Sequence, residues 1–206
     1  MKLSYPSKMP GASVGLPAIL ACVTGAKLAQ IPGSVCHVCY ATGGFYNMDN
    51  VKAPRHANWE QLKTQIKTAK GRKAWIAEMV QLILTDGVQH FRWHDSGDII
   101  SAQHLDMICE VAKATPGVAH WLPTREYRMV QEVAFDREIP SNLTIRLSAH
   151  MIGRTLEPTG PFVSSSVDAG TGWQCPATHN PAHKGKCMDC RACWDRKVGN
   201  VDYSEH

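Results

Sequence analysis

The chain has no run approaching the ~18 consecutive apolar residues of a membrane span, so a membrane is not among its expected partners. It has no internal repeat and no low-complexity tract, which sets aside a repeat array or a linker-like chain. Its charge is also modest. A net +4 with ten histidines uncounted is too weak to require a nucleic-acid partner and too balanced for a disordered chain. Cysteine is scarce by the standard of a small disulfide scaffold, with eight in 206 residues against the roughly 8–10% typical of that class. The spacing of the cysteines therefore carries more information than their number. With 44% hydrophobic residues the chain can bury one sizeable core, and a single domain over 1–206 is expected.

The compartment decides whether thiols read as disulfides or as ligands. Residues 12–21 are mostly apolar and Ile19-Leu20-Ala21-Cys22 is similar to a bacterial lipoprotein cleavage box, but Gly15 and Pro17 interrupt the apolar stretch. A soluble protein in a reducing cytoplasm is the expectation, and there clustered thiols read as metal ligands.

Three segments can be distinguished. Residues 1–50 are rich in Gly, Pro and small side chains and read as an irregular, loop-rich cysteine segment. In 51–168 helical stripes (Trp59, Leu62, Ile66; then Trp75, Ile76, Met79, Val80, Ile83, ended by Asp86-Gly87) lead into a strand over about 88–94. Ser101 is a candidate N-cap for a helix carrying Leu105, Ile108, Cys109 and Ala112 on its apolar face. A strand over 118–122 is expected to stop at Pro123, a short helix carries Met129, Val130 and Val133, and strands follow at 143–148 and 162–167. Alternating strands and helices imply βαβ units. The expected class is α/β, as a partial parallel (β/α) barrel or a small open parallel sheet, since a closed barrel typically needs ~250 residues. Residues 169–206 form a C-terminal cysteine-cluster segment.

Ligands of parallel α/β sheets bind beyond the carboxyl ends of the strands. Those ends are polar here: His94, Asp95, Ser96, Gly97 and Asp98; Thr124, Arg125 and Glu126; Ser148 and His150; and Ser164 to Ser166. His94, Asp95, Asp98, Arg125 and Glu126 are candidate catalytic groups, although Ser and Asp in such places also serve as ordinary N-caps. Arg125 and Arg146 can hold a carboxylate or phosphate bidentately, and Arg146 can equally satisfy a buried carboxylate such as Asp95 or Glu126.

The cysteines fall into two groups and one remainder. Cys187, Cys190 and Cys193 stand at two successive C-x2-C spacings, with Cys175-Pro176 upstream. This run matches [4Fe-4S] ligation more closely than the separated pairs of structural zinc sites. Lys184, Lys186, Arg191 and Arg196 flank it and favour an anionic centre. Cys22, Cys36 and Cys39 supply three thiols, which on a four-position cluster leave one position open; with His37 they can instead form a zinc site. Cys109 lies on an apolar helical stripe and reads as core.

Several segments together resemble the bacteriophage gene-product-88 family: Ser7-Lys8-Met9-Pro10-Gly11; 33–41 around Cys36-His37-Val38-Cys39-Tyr40-Ala41; 91–98 with His94-Asp95-Ser96-Gly97-Asp98; 121–127 with Pro123-Thr124-Arg125-Glu126; and 185–194. The resemblance implies a phage-encoded protein of the host cytoplasm. More distantly, Cys36-x-Val-Cys39-Tyr-Ala is similar to the end of the radical S-adenosylmethionine (SAM) motif, with a cluster at the mouth of a partial barrel. That likeness implies one or two [4Fe-4S] clusters and a SAM site for which Ser96, Gly97 and Asp98 are the candidates. The chain departs from the motif, because thirteen residues separate Cys22 from Cys36 where the motif has three.

Two functions follow as expectations. One is an iron-sulfur protein, an enzyme or an electron carrier, that serves a small molecule or takes electrons from a donor. The other is a metal-stapled nucleic-acid-binding protein using Lys63, Lys67, Lys70, Arg72 and Lys73.

Overall fold

The computed structural model describes residues 1–158 and 160–205. The first fifty residues are less irregular than the sequence suggests. They contain β1 (Leu3–Ser4), β2 (Ala12–Val14) and α1 (Val23–Leu28). These elements are too short for a hydrophobic period to register.

Helix α2 (Asp49–Gln65) starts ten residues before the first residue of its apolar stripe, Trp59, and contains Pro54. Helix α3 (Ala69–Asp86) is N-capped by the Thr68 hydroxyl, which accepts from Gly71 N, and ends on Gly87 at φ 68. Only glycine takes that left-handed position at no steric cost. Strand β3 (His90–Trp93) follows, then α4 (Ala102–Ala114), capped as expected by Ser101.

Strand β4 (Ala119–Thr124) runs through Pro123 instead of stopping there. Pairing of β3 with β4 ends at Arg92↔Trp121, so at Pro123 no ladder on that side is lost, while the other side stays paired with Arg146. Helix α5 (Tyr127–Asp136) and strands β5 (Leu143–Ser148) and β6 (Val163–Val167) complete the expected series. The C-terminal segment adds β7 (Trp173–Gln174), α6 (Pro176–His179) and β8 (Asn200–Tyr203).

All eight strands join one sheet in the order β1-β2-β3-β4-β5-β6-β8-β7, parallel except for the β1–β2 pair. The sheet is open, with β1 and β7 at its edges, which is the open parallel sheet of the two expected architectures. From β2 to β5 each crossover steps to the next strand in the same direction, and right-handed crossovers then place α2 to α5 on one face. There Leu62, Trp75, Met79, Leu105 and Ile108 pack with Phe91, Trp93, Leu122 and Ile145. Cys109 is fully buried in this core, as expected.

The opposite face is covered by the C-terminal segment, where Trp121 and Val201 pack with Cys175, Cys193 and Trp194. Strand β5 is accordingly buried along its whole length, with Ile145 and Leu147 in the helix-side core and Thr144 and Arg146 bonded to the C-terminal segment. No helix among the described residues is long and apolar enough to cross a membrane.

Candidate functional site

The fold gathers the C-terminal cysteines. Cys175, Cys187, Cys190 and Cys193 line one small cavity of about 10 Å³ together with Trp173 and Trp194, room for about one water-sized sphere. Cys193 is buried among apolar neighbours, which pushes its thiol up to about 12, and its sulfur lies 3.1 Å from the Tyr203 hydroxyl. Burial also raises the Cys187 thiol.

The loop is framed by backbone bonds. Cys175 N donates to Asp202 O and Cys187 N to Lys8 O, so the segment at 7–11 serves as part of this frame. Trp194 Nε1 donates to Phe91 O, and Thr144 Oγ1 to Trp194 O.

Arg146 is the centre of that frame, and here the carboxylate expectation is corrected. Its fully buried guanidinium donates to five backbone carbonyls: Cys193, Ser164, Val198, Ala192 and Asp195, at 2.5–3.0 Å. All five N–H donors of an arginine are used, and neither Asp95 nor Glu126 is a partner. Arg92 lies 4.6 Å over the Trp121 ring and donates to the Tyr40 hydroxyl, while its Nε has no partner. Arg191 donates to Met188 O and Cys190 O. None of these three guanidiniums pairs with a carboxylate among the described residues.

The N-terminal thiols lie at the carboxyl ends of β3 and β4, where an α/β sheet places its ligands. Cys22 precedes α1, and Glu126 holds the start of that helix by accepting from Thr24 N at 2.6 Å and Thr24 Oγ1 at 2.7 Å. Asp98 N donates to Ala21 O, and the Asp98 carboxylate accepts from Ile99 N and Arg125 N. Burial, with the Asp98 charge nearby, pushes the Cys22 thiol up to about 12. Burial also raises Cys36, against a lowering pull from Arg125. Asp98 itself is pushed up to about 6, chiefly by burial.

Gly25 keeps the space between the sulfurs open. A Cβ placed there would meet the Cys36 sulfur at 3.5 Å, the Cys22 sulfur at 3.7 Å and the Cys22 Cβ at 2.9 Å. The loop carrying Cys36 is tied to the end of β5 by Val35 N to His150 O and by the Ser34↔Met151 bridge.

The remaining polar residues at the strand ends have structural work. Asp95 pairs with Arg55 of α2. Ser96 donates to Leu16 O and accepts from Arg55 Nε, and a Cβ on Gly97 would strike Leu16 at 2.7 Å. The Ser96 hydroxyl, and the close approach that Gly97 permits, thus hold the segment at 15–16. His94 is buried with its ring against Trp93 and His104. The serines at 164–166 bond to Asn200, Ser148 and Asp202. Of the strand-end candidates, Asp98, Arg125 and Glu126 are brought to the thiols.

His37 turns its Nδ1 toward Ala29 O at 3.0 Å. In the basic run, Lys63 pairs with Glu60 and Arg72 donates to Ile66 O, leaving Lys67, Lys70 and Lys73 exposed. Among the described residues no group of three or more His, Cys, Asp or Glu side chains is arranged to hold a metal ion as it stands.

Gly25, Arg92 and Tyr203 escaped the sequence reading. For Arg92 a signal existed, a cation between the apolar Phe91 and Trp93 of a buried strand. For Gly25 none did.

Fold and site together define an open-sheet α/β protein with one thiol group at the carboxyl edge of its sheet and another within its C-terminal segment. A family model described as Gene product 88 matches residues 2–196. The chain belongs to the gene product 88 family, in agreement with the bacteriophage resemblance of its motifs. No curated protein and no solved structure matches it.

Proposed function

We propose that the chain is an iron-sulfur protein in which Cys175, Cys187, Cys190 and Cys193 hold a closed [4Fe-4S] cluster and Cys22, Cys36 and Cys39 hold a second, open centre. The observation that carries this reading is the convergence of four thiols from two separated stretches on one cavity. Three of these thiols stand at successive C-x2-C spacings, which match [4Fe-4S] ligation more closely than the separated pairs of structural zinc sites. The unpaired charge of Arg92, Arg146 and Arg191 favours an anionic thiolate centre over four neutral thiols.

The bound cluster would supply one-electron redox chemistry. The protein's own residues bind and enclose it: Arg146 fixes the loop, Tyr203 faces Cys193, and Trp121 and Trp194 exclude water. At the N-terminal centre Gly25 leaves room and Glu126 anchors the helix that follows Cys22.

Anaerobic purification followed by iron and sulfide counts tests the reading. About four irons and four sulfides per cluster are expected, and a colourless protein with stoichiometric zinc overturns it. SAM chemistry is the finer form of the proposal. Reduced protein given SAM releases 5′-deoxyadenosine if it holds, and none formed leaves electron transfer.

A further inference from the structure

We propose that Arg125 is an anion-binding residue that takes the carboxylate or phosphate of a small molecule at the mouth of the N-terminal thiol group. Every other arginine that is not surface-exposed donates at least one side-chain hydrogen bond among the described residues. The Arg125 side chain donates none, and its Nε is shut off from solvent without a partner. A half-buried guanidinium in that condition has lost part of its hydration with nothing in return, which is costly unless a ligand repays it.

The local carboxylates do not repay it. Asp98 is occupied by Ile99 N and Arg125 N, and Glu126 by Thr24. The place is defined on two sides. The Arg125 charge is felt at the Cys36 thiol, and Arg125 follows directly on β4 at the carboxyl edge of the sheet. The planar fork of a guanidinium matches an oxyanion through two parallel N–H bonds. Leu20 and Val38, each within two residues of a cysteine of this group, are exposed and available to the apolar part of such a molecule.

The placement beside a metal centre rests on the function proposed above, while the anion site itself does not. The test uses the full chain as purified anaerobically, titrated separately with inorganic phosphate and with acetate at constant ionic strength by calorimetry. At least one of the two is expected to bind, and the arm that responds identifies the group. Arg125→Gln should weaken that binding by at least about tenfold, the worth of one hydrogen bond to a charged group. Arg125→Lys should recover part of it as a point charge, and the remote Lys70→Gln should leave it unchanged. Circular dichroism confirms that the variants fold. Binding by neither anion, or equal binding by Arg125→Gln, overturns the proposal. An iron-free preparation that binds through Arg125 sinks the metal reading alone, and an iron-loaded protein without Arg125-dependent binding sinks this one alone.

Discussion

Replacing Arg146 by lysine keeps the buried charge and removes the fork that spans the C-terminal loop. The arginine serves five carbonyls, four of them in the loop at 192–198. Lysine has three N–H donors, so at least two carbonyls lose their partner. An unpaired buried polar group costs ~1–3 kcal/mol, which places the loss of stability for Arg146→Lys at about 2–6 kcal/mol. The assay is urea unfolding followed by tryptophan fluorescence, since Trp121 and Trp194 stack edge to face 5.2 Å apart beside this loop. Metal retention at the four C-terminal cysteines should fall in parallel, with the Cys22 group unaffected. A loss below about 1 kcal/mol with full metal retention would refute the argument, showing that the Thr144 and Trp194 bonds hold the loop alone.

Gly25→Ala should empty the N-terminal centre through its contacts with Cys22 and Cys36, while the change in helix propensity is within about 1 kcal/mol; iron analysis should show loss at that centre only, and unchanged loading would sink the cradle. Glu126→Gln keeps the shape at α1 but weakens a charge-assisted cap, and should cost about 1 kcal/mol in thermal unfolding. Acid should destabilise the fold. Burial lowers His104 to about 3 and His120 to about 4, so both stay neutral in the folded chain while the unfolded chain takes up protons below about pH 6.5. Stability from these groups is complete above pH 6.5 and is lost as the pH falls toward 4, at about 1.4 kcal/mol per unit for each histidine; His120→Leu should flatten the slope in denaturant titrations between pH 6.5 and 4.5.

His120 also shows what a sequence can and cannot disclose. Its Nδ1 accepts from Trp93 Nε1, so its Nε2 donates to Thr115, whose hydroxyl donates to Val111 O. Nothing local announces such a chain, which joins two strands and a helix end. The elements that could be read were long or carried their own punctuation: the stripe of Trp75, Met79 and Ile83, the Ser101 cap and the Gly87 stop. Strands of two to four residues such as β1, β2 and β8 present no period, and Pro54 disguised the first turns of α2. The thiols were legible because their chemistry leaves few uses for such spacing. The role of Arg146 was not, because a cation in an alternating strand implies a buried partner without saying that the partner is a backbone 46–52 residues away. His94, Asp95 and Ser96 looked like a site because strand ends in this class hold ligands; here the core, the packing of α2 and the segment at 15–16 use them first.

The position of β8 inside the sheet, between β6 and β7, makes the order of synthesis matter. The ribosome releases the four C-terminal cysteines before the strand that closes over them, and the slot beside β6 stays unfilled until residues 200–203 emerge. Until then the Asp202 carboxylate cannot receive Ser166, Ala169 and Gly170, and Cys175 lacks its backbone acceptor. Loss of a handful of residues at the C-terminus would therefore do more than shorten the chain: it would expose an inner edge of the sheet and leave the last thiol group without its clasp.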